Sequence, residues 1–285
     1  MKNSMTSNTN TRKKIGMMKN NHSFTNRQML EYGIMKPYSN ISCFSTTRHG
    51  GCGEGAYATF NCTHYCGDNP EHVKGNLEFV KGFLASSKTD QDGHVDAIVI
   101  PRQTHTTNVR VIENVPSEEE LQDVDAVITR LKGFCLCVST ADCVPILMYD
   151  PVKQVVAAVH AGWRGTVGRI VEQTLDTMKS YYGTDGKDVV ACIGPSISLE
   201  SFEVGDEVYT AFADAGFDMA RIARRFEKWH LDLWEANRLQ LMAHGVLCEN
   251  IEVSGICTYL QHEDFFSARR LGIKSGRILS GICRW

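Results

Sequence analysis

Apolar residues along this chain fall mostly into short blocks, four to seven residues long and rich in Val, Ile, Cys and Phe. Ile41–Ser45, Val95–Ile100, Val109–Ile112, Asp123–Ile128 and Phe134–Ser139 read as strands. Val144–Tyr149, Val155–Val159, Val189–Ile193 and Ile251–Val253 read the same way. Between them the period lengthens to that of a helix. Asn69-Pro70-Glu71 opens one, with Val73, Leu77, Val80 and Leu84 on its apolar face. A second runs from about Thr166 to Tyr182, lined by Ile170, Leu175 and Met178, and a third from Glu203 to Ala215 through Val204, Val208 and Phe212. Leu231–His244 is the clearest amphipathic helix, stopped by Gly245. Strands interleaved with helices, without a repeat or a Pro/Ser-rich linker beyond residue 40, predict one α/β domain over residues 29–285.

Composition narrows the picture. The 285 residues are 42% hydrophobic, enough for a sizeable core, and carry a net charge of -3. Such a balance supplies no field to recruit nucleic acid or an anionic membrane. No apolar run reaches the roughly 20 residues that span a bilayer. Residues 1–28 are rich in Asn, Thr, Ser and Lys, lack an apolar secretion core, and read as a disordered or appended leader. The 11 cysteines sit largely inside apolar runs, as Cys135, Cys137 and Cys192 do, which predicts reduced thiols and a cytoplasmic setting.

The candidate chemistry centres on Thr140-Ala141-Asp142-Cys143 and, seventeen positions after Cys143, on His160-Ala161-Gly162-Trp163-Arg164-Gly165. The intervening strand, turn and strand bring Cys143 and His160 to one end of an antiparallel pair. His105 occupies a similar strand-end position after Pro101-Arg102-Gln103-Thr104. A thiol with two imidazoles suits zinc or copper and leaves a fourth position open for water, whose pKa zinc lowers to about 7. The same residues could instead form a Cys-His nucleophile pair with Asp142 as orienter, or a buried structural cluster. Residues alone leave these three readings open. Cys62-Thr63-His64-Tyr65-Cys66 has no second half at finger spacing, so it does not predict structural zinc. Arg48 and His49 enter a Gly-rich loop compatible with anion binding but unlike a P-loop, and Arg269, Arg270 and Arg277 form a basic tail.

These motifs, together with Thr47-Arg48-His49-Gly50-Gly51, Asn61, Gly67-Asp68, Gln103-Thr104-His105, Asp125-Ala126, Ile193-Gly194-Pro195, Phe202-Glu203-Val204-Gly205, Asp232-Leu233 and Phe266-Ser267-Ala268-Arg269-Arg270, resemble the polyphenol oxidase/laccase-domain family, in family order from Ile41 to the C-terminus. The resemblance implies a four-layer α/β/β/α sandwich with mixed sheets. It implies metal ligation by His105, Cys143 and His160, usually of zinc. The implied activities are phosphorolysis of adenosine, inosine and 5′-methylthioadenosine, and adenosine deamination. Copper-dependent phenol oxidation and peptidoglycan-precursor editing are the family's other attributed activities. On this expectation Cys143, Arg48 and Asp142 are catalytic, and Arg48, Gln103, Arg164 and Arg269 hold nucleoside and phosphate. Thr106 stands where the family commonly has Gly, Leu77 where Arg is common, and Phe60 and Cys62 flank Asn61 where Leu is usual, departures that bear on substrate preference. The oxidase expectation meets a chemical obstacle: ten histidines without one His-x-His pair do not provide a trinuclear copper cluster.

Overall fold

In Val155–Ala161 alternate side chains enter different cores. Val155, Ala157, Val159 and Ala161 join one buried cluster, Val156 and Ala158 another. That is the period-two signature of a strand covered on both faces. The computed structural model describes residues 23–25, 28–86 and 94–285. In chain order the first strands are β1 (Ser23–Thr25), β2 (Met29–Glu31), β3 (Ile41–Thr46), β4 (Ala97–Val99), β5 (Val109–Val111) and β6 (Ala126–Thr129). The long central strands follow: β7 (Phe134–Thr140), β8 (Val144–Asp150), β9 (Val155–Ala161) and β10 (Val190–Ile193). Then come β11 (Glu203–Val204), β12 (Ala223–Arg225), β13 (Trp229–Leu231), β14 (Ile251–Val253) and β15 (Ile278–Arg284). The helices are α1 (Pro70–Ser86), α2 (Trp163–Val167), α3 (Ile170–Tyr182), α4 (Asp206–Asp214), α5 (Met219–Ile222), α6 (Leu233–Ala243) and α7 (Ala268–Leu271).

Two six-stranded mixed sheets, ordered β1-β2-β3-β15-β7-β4 and β14-β10-β8-β9-β6-β5, stack face to face. Leu136 and Val138 of β7 and Ile278 and Ile282 of β15 meet Leu147, Tyr149, Val156 and Val190 in the layer between them. The other face of the first sheet, with Cys135, Cys137, Leu279 and Cys283, is covered by Val80 and Leu84 of α1. The outer face of the second sheet, with Ile128, Ile146 and Met148, is covered by Val171, Leu175 and Met178 of α3 and Leu241 of α6. Helix, sheet, sheet, helix is the expected four-layer single-domain sandwich. Truncating one of its fully buried leucines would cost about 2–5 kcal/mol.

Three expected helices are shortened or divided. The stretch from Thr166 to Tyr182 is two helices, because Arg169 takes a left-handed backbone (φ 65°) after Gly168, and the first turn starts earlier, at Trp163. Glu203–Val204 pairs as β11 before α4 begins, and Trp229–Leu231 pairs as β13 before the Asp232 side chain caps α6 by accepting from Glu235 N. Of the expected leader, Ser23–Thr25 lies antiparallel to β2, while residues 1–22, 26 and 27 lie outside the described residues. No helix among the described residues is long and apolar enough to cross a membrane.

Candidate metal centre

The chain crosses between the two sheets through Ala141-Asp142-Cys143, from the end of β7 to the start of β8. β8 and β9 pair antiparallel with Val144 opposite Ala161 and Pro145 opposite His160. Their turn closes on Asp150, whose carboxylate accepts from Val152 and Lys153 N–H. Cys143 therefore meets the end of β9 carrying His160. The third side chain comes from the loop between β4 and β5, where His105 has a left-handed backbone (φ 65°) and its Nε2 lies 3.8 Å from Cys143 Sγ. The two rings meet edge to face, centroids 4.9 Å apart.

One nitrogen or sulfur atom from each of His105, Cys143 and His160 lies within 4.8 Å of the others, the only such group of three metal-ligating side chains found among the described residues. Exposure grades inward: His105 is exposed, Cys143 half-buried and His160 buried. The donors are thus anchored from below and open to solvent above. One thiolate and two imidazoles around an open side are a donor set that zinc or copper fits and that magnesium or calcium does not. Gly162 leaves room for it: a Cβ there would stand 2.9 Å from His105 Cδ2 and 3.1 Å from Cys143 Sγ.

Beneath the cluster lies Asp125, fully buried. Its Oδ1 accepts from His160 Nδ1 at 2.7 Å and from His105 N–H at 3.1 Å. Its Oδ2 accepts from Thr106 N–H at 2.8 Å, the Thr106 hydroxyl at 2.7 Å and Thr104 N–H at 3.3 Å. Burial pushes this carboxyl up, but the His160 ring and the Thr106 donors outweigh it and hold it below its ordinary value. Burial also opposes the Cys143 thiolate, yet the charge on His160 and hydrogen bonds from both rings bring the thiol down to about 6. Burial disfavours charge on His160 in turn, but the Cys143 thiolate and Asp125 raise it to about 9. Both shifts favour a thiolate beside an imidazolium when no metal is bound, the arrangement of an activated cysteine.

The other expected site residues take varied positions. Arg48 donates through Nε and one terminal nitrogen to Ala58 O (3.0 and 2.9 Å) and through the other to His262 O (2.7 Å), over the Phe266 ring. It ties the N-terminal loop to the C-terminal segment, and the adjacent His49 pairs with Asp264. The Gln103 amide exchanges two hydrogen bonds with the Ser139 backbone (2.7 and 2.8 Å), fastening the His105 loop to β7. Asp142 has a left-handed backbone (φ 85°), and its carboxylate accepts from the Thr258 hydroxyl and from Arg269 N–H, both at 2.7 Å. Arg164 is exposed over the Trp163 ring, and Arg269 is exposed, its guanidinium donating to Glu203 O and lying over the Phe202 ring. Cys62 is buried among Phe60, Val80 and Leu84, and the Cys66 thiol points to Thr63 O, so that segment is a packed loop.

Asp125 is what spacing arguments passed over, having entered only as part of a motif. The available signal was an aspartate flanked by Val124 and Ala126 inside an apolar strand, where an ionised carboxylate needs buried donors.

Comparison with known proteins finds relatives over most of the chain. A purine nucleoside phosphorylase of Bacteroides thetaiotaomicron is 54% identical, covering 90% of this chain and 96% of that protein. Adenosine deaminase RL5, from an unknown prokaryotic organism, is 42% identical over 87% of this chain and 96% of its own length. Among solved structures, hypothetical protein YfiH of Bacillus licheniformis aligns with a TM-score of 0.84 at 28% identity, covering 94% of this chain and 100% of that one. YlmD of Geobacillus stearothermophilus aligns at 0.82 with 29% identity, covering 92% of this chain and 98% of that one. The family model described as multi-copper polyphenol oxidoreductase laccase matches residues 42–285, and the chain belongs to that family.

Proposed function

We propose that this protein is a zinc-dependent purine nucleoside enzyme, cleaving adenosine, inosine and 5′-methylthioadenosine with phosphate and deaminating adenosine. The observation that carries the reading is the open His105–Cys143–His160 cluster, seated on a buried carboxylate. The names of the purine nucleoside phosphorylase and adenosine deaminase relatives support the substrate class. His105, Cys143 and His160 would hold the metal. When bound, it supplies a Lewis acid on the exposed side of the cluster.

The chain's own residues divide the remaining work. Asp125 keeps the His160 Nδ1 proton occupied, so that Nε2 is presented toward Cys143. Phosphate needs a cation with planar donors. Arg164, two positions beyond Gly162, and Arg269, whose backbone is bonded to Asp142, offer exposed guanidinium groups on segments attached to those of the cluster. Arg48 acts as the tether between the N-terminal loop and the C-terminal segment, and Gln103 and Asp142 fix the segments that carry His105 and Cys143. Eleven free cysteines fit a reducing, cytoplasmic setting.

A second reading rests on the depressed Cys143 thiol, which suits a metal-free nucleophile with His160 as partner. Elemental analysis of the purified protein, with product analysis on adenosine with and without phosphate, tests the first reading. Stoichiometric zinc, free adenine released only with phosphate, inosine formed without it, and loss of both on chelation are expected. Full turnover after complete metal removal would favour the nucleophile. Phenol oxidation that scales with added copper would favour the oxidase activity of the family's name.

A further inference from the structure

The Asp125 carboxylate meets two of the three cluster residues by different routes. It reaches the His160 ring at Nδ1, and it reaches His105 through the backbone of residues 104–106. The second route matters because His105 has a left-handed backbone, which a non-glycine residue adopts only when its surroundings hold it there. Three successive N–H groups, of Thr104, His105 and Thr106, converge on one carboxylate, and the Thr106 hydroxyl adds a fourth donor from that loop. The loop is wrapped around an anion that the same chain supplies from the start of β6. His105 is exposed at the rim, with His160 and Gly162 against its ring, and the loop sets the direction from which that ring approaches.

We propose that Asp125, braced by Thr106, is the positioning residue that sets both histidines of the cluster: it fixes the His160 ring nitrogen that faces Cys143 and holds the strained turn that aims His105. This inference deepens the zinc reading and rests on it. Neither residue touches the open face, so their effect passes through the two histidines. An amide at Asp125 can still accept from His160, but its NH2 would face the Thr104 and Thr106 N–H groups, donor against donor. Asp125→Asn should therefore loosen His105 more than His160. Thr106→Val removes the hydroxyl at a half-buried position, with its bonds to Asp125, Asp123 O and Asn108 N–H, and leaves the three backbone N–H contacts to Asp125 intact.

The test measures zinc affinity by chelator competition, together with the visible spectrum of cobalt-substituted protein, for wild type, D125N and T106V. Thiolate-to-cobalt and ligand-field bands report donor number and geometry, which a change in global stability alone does not move. The expected order of affinity is wild type, then T106V, then D125N, with D125N weaker by about 10- to 100-fold. D125N should also lose amide-exchange protection at His105 and Thr106 in the metal-free protein. Wild-type affinity and cobalt spectra in both variants, with only a lower melting temperature, would overturn the inference. Should D125N fail to fold, T106V decides alone: reduced affinity supports the inference and unchanged affinity overturns it. A wild-type protein that binds no zinc would overturn the metal reading itself, a result separate from any ranking of variants.

Discussion

Gly162 packs its bare Cα against the His105 ring, and the methyl of an alanine there would stand 2.9 Å from Cδ2. Gly162 has an ordinary φ of −68°, so this glycine is required by close approach rather than by backbone conformation. Gly162→Ala should push the ring outward and weaken zinc binding about tenfold or more, while the melting temperature changes little. Chelator competition beside calorimetry checks this, and an unchanged affinity would show the ring free to yield.

Cys143 should behave as a thiolate in the metal-free protein. Its thiol is depressed to about 6, so alkylation by iodoacetamide should rise through that pH rather than through about 8.5, where a free cysteine titrates. The sign follows from the partner. The ion pair exists above about 6, where the thiol loses its proton, and is lost as pH rises through about 9, where His160 does. The stability it gives is thus confined to that interval. Saturating zinc should protect Cys143 from the reagent. A midpoint near that of free cysteine would contradict the arrangement.

Asp142 links the crossover to the C-terminal segment through Thr258 and Arg269. Asp142→Ala leaves two donors without their acceptor and places alanine at φ 85°, for a loss of about 1–3 kcal/mol in denaturant unfolding. Asp142→Asn keeps an acceptor and tolerates the left-handed backbone, and should retain most of the stability. If Asp142 contributes a charge to the reaction instead, D142N would keep its stability and lose turnover.

Arg48→Lys replaces a planar fork by a single ammonium and cannot reach Ala58 O twice and His262 O together. Destabilisation by about 1–2 kcal/mol is expected, with KM for phosphate near wild type. The opposite pattern, normal stability with a raised KM for phosphate, would make Arg48 the anion holder. Arg164→Ala and Arg269→Ala should raise that KM without a comparable stability loss.

The hairpin carrying Cys143 and His160 was readable because everything it needs is local: two apolar runs, an Asp-Pro turn and a period of two. What went unread depends on distant partners. β15 contains Ser280, Gly281 and Cys283 and shows no strong alternation, and it is a strand because β3 and β7 flank it. Its Ser280 hydroxyl bonds to Ser45, 235 positions away. The tether made by Arg48 went unread because its acceptor His262 O is 214 residues distant. The break at Arg169 had no glycine at the left-handed position to announce it. Asp125 shows the converse: its type was visible, but its purpose emerged only with the loop folded around it.

The passage of the chain from one sheet to the other through Ala141-Asp142-Cys143 gives the cluster a mechanical standing. Cys143 is the last residue of that crossover, His160 lies on β9 of the second sheet, and His105 lies on the loop that joins β4 of the first sheet to β5 of the second. An ion gripped there would act as a rivet at the seam. Parting of the sheets on warming would spread the donors while each sheet still kept its hydrogen bonds. Release of the ion would then be an early gauge of the sandwich opening.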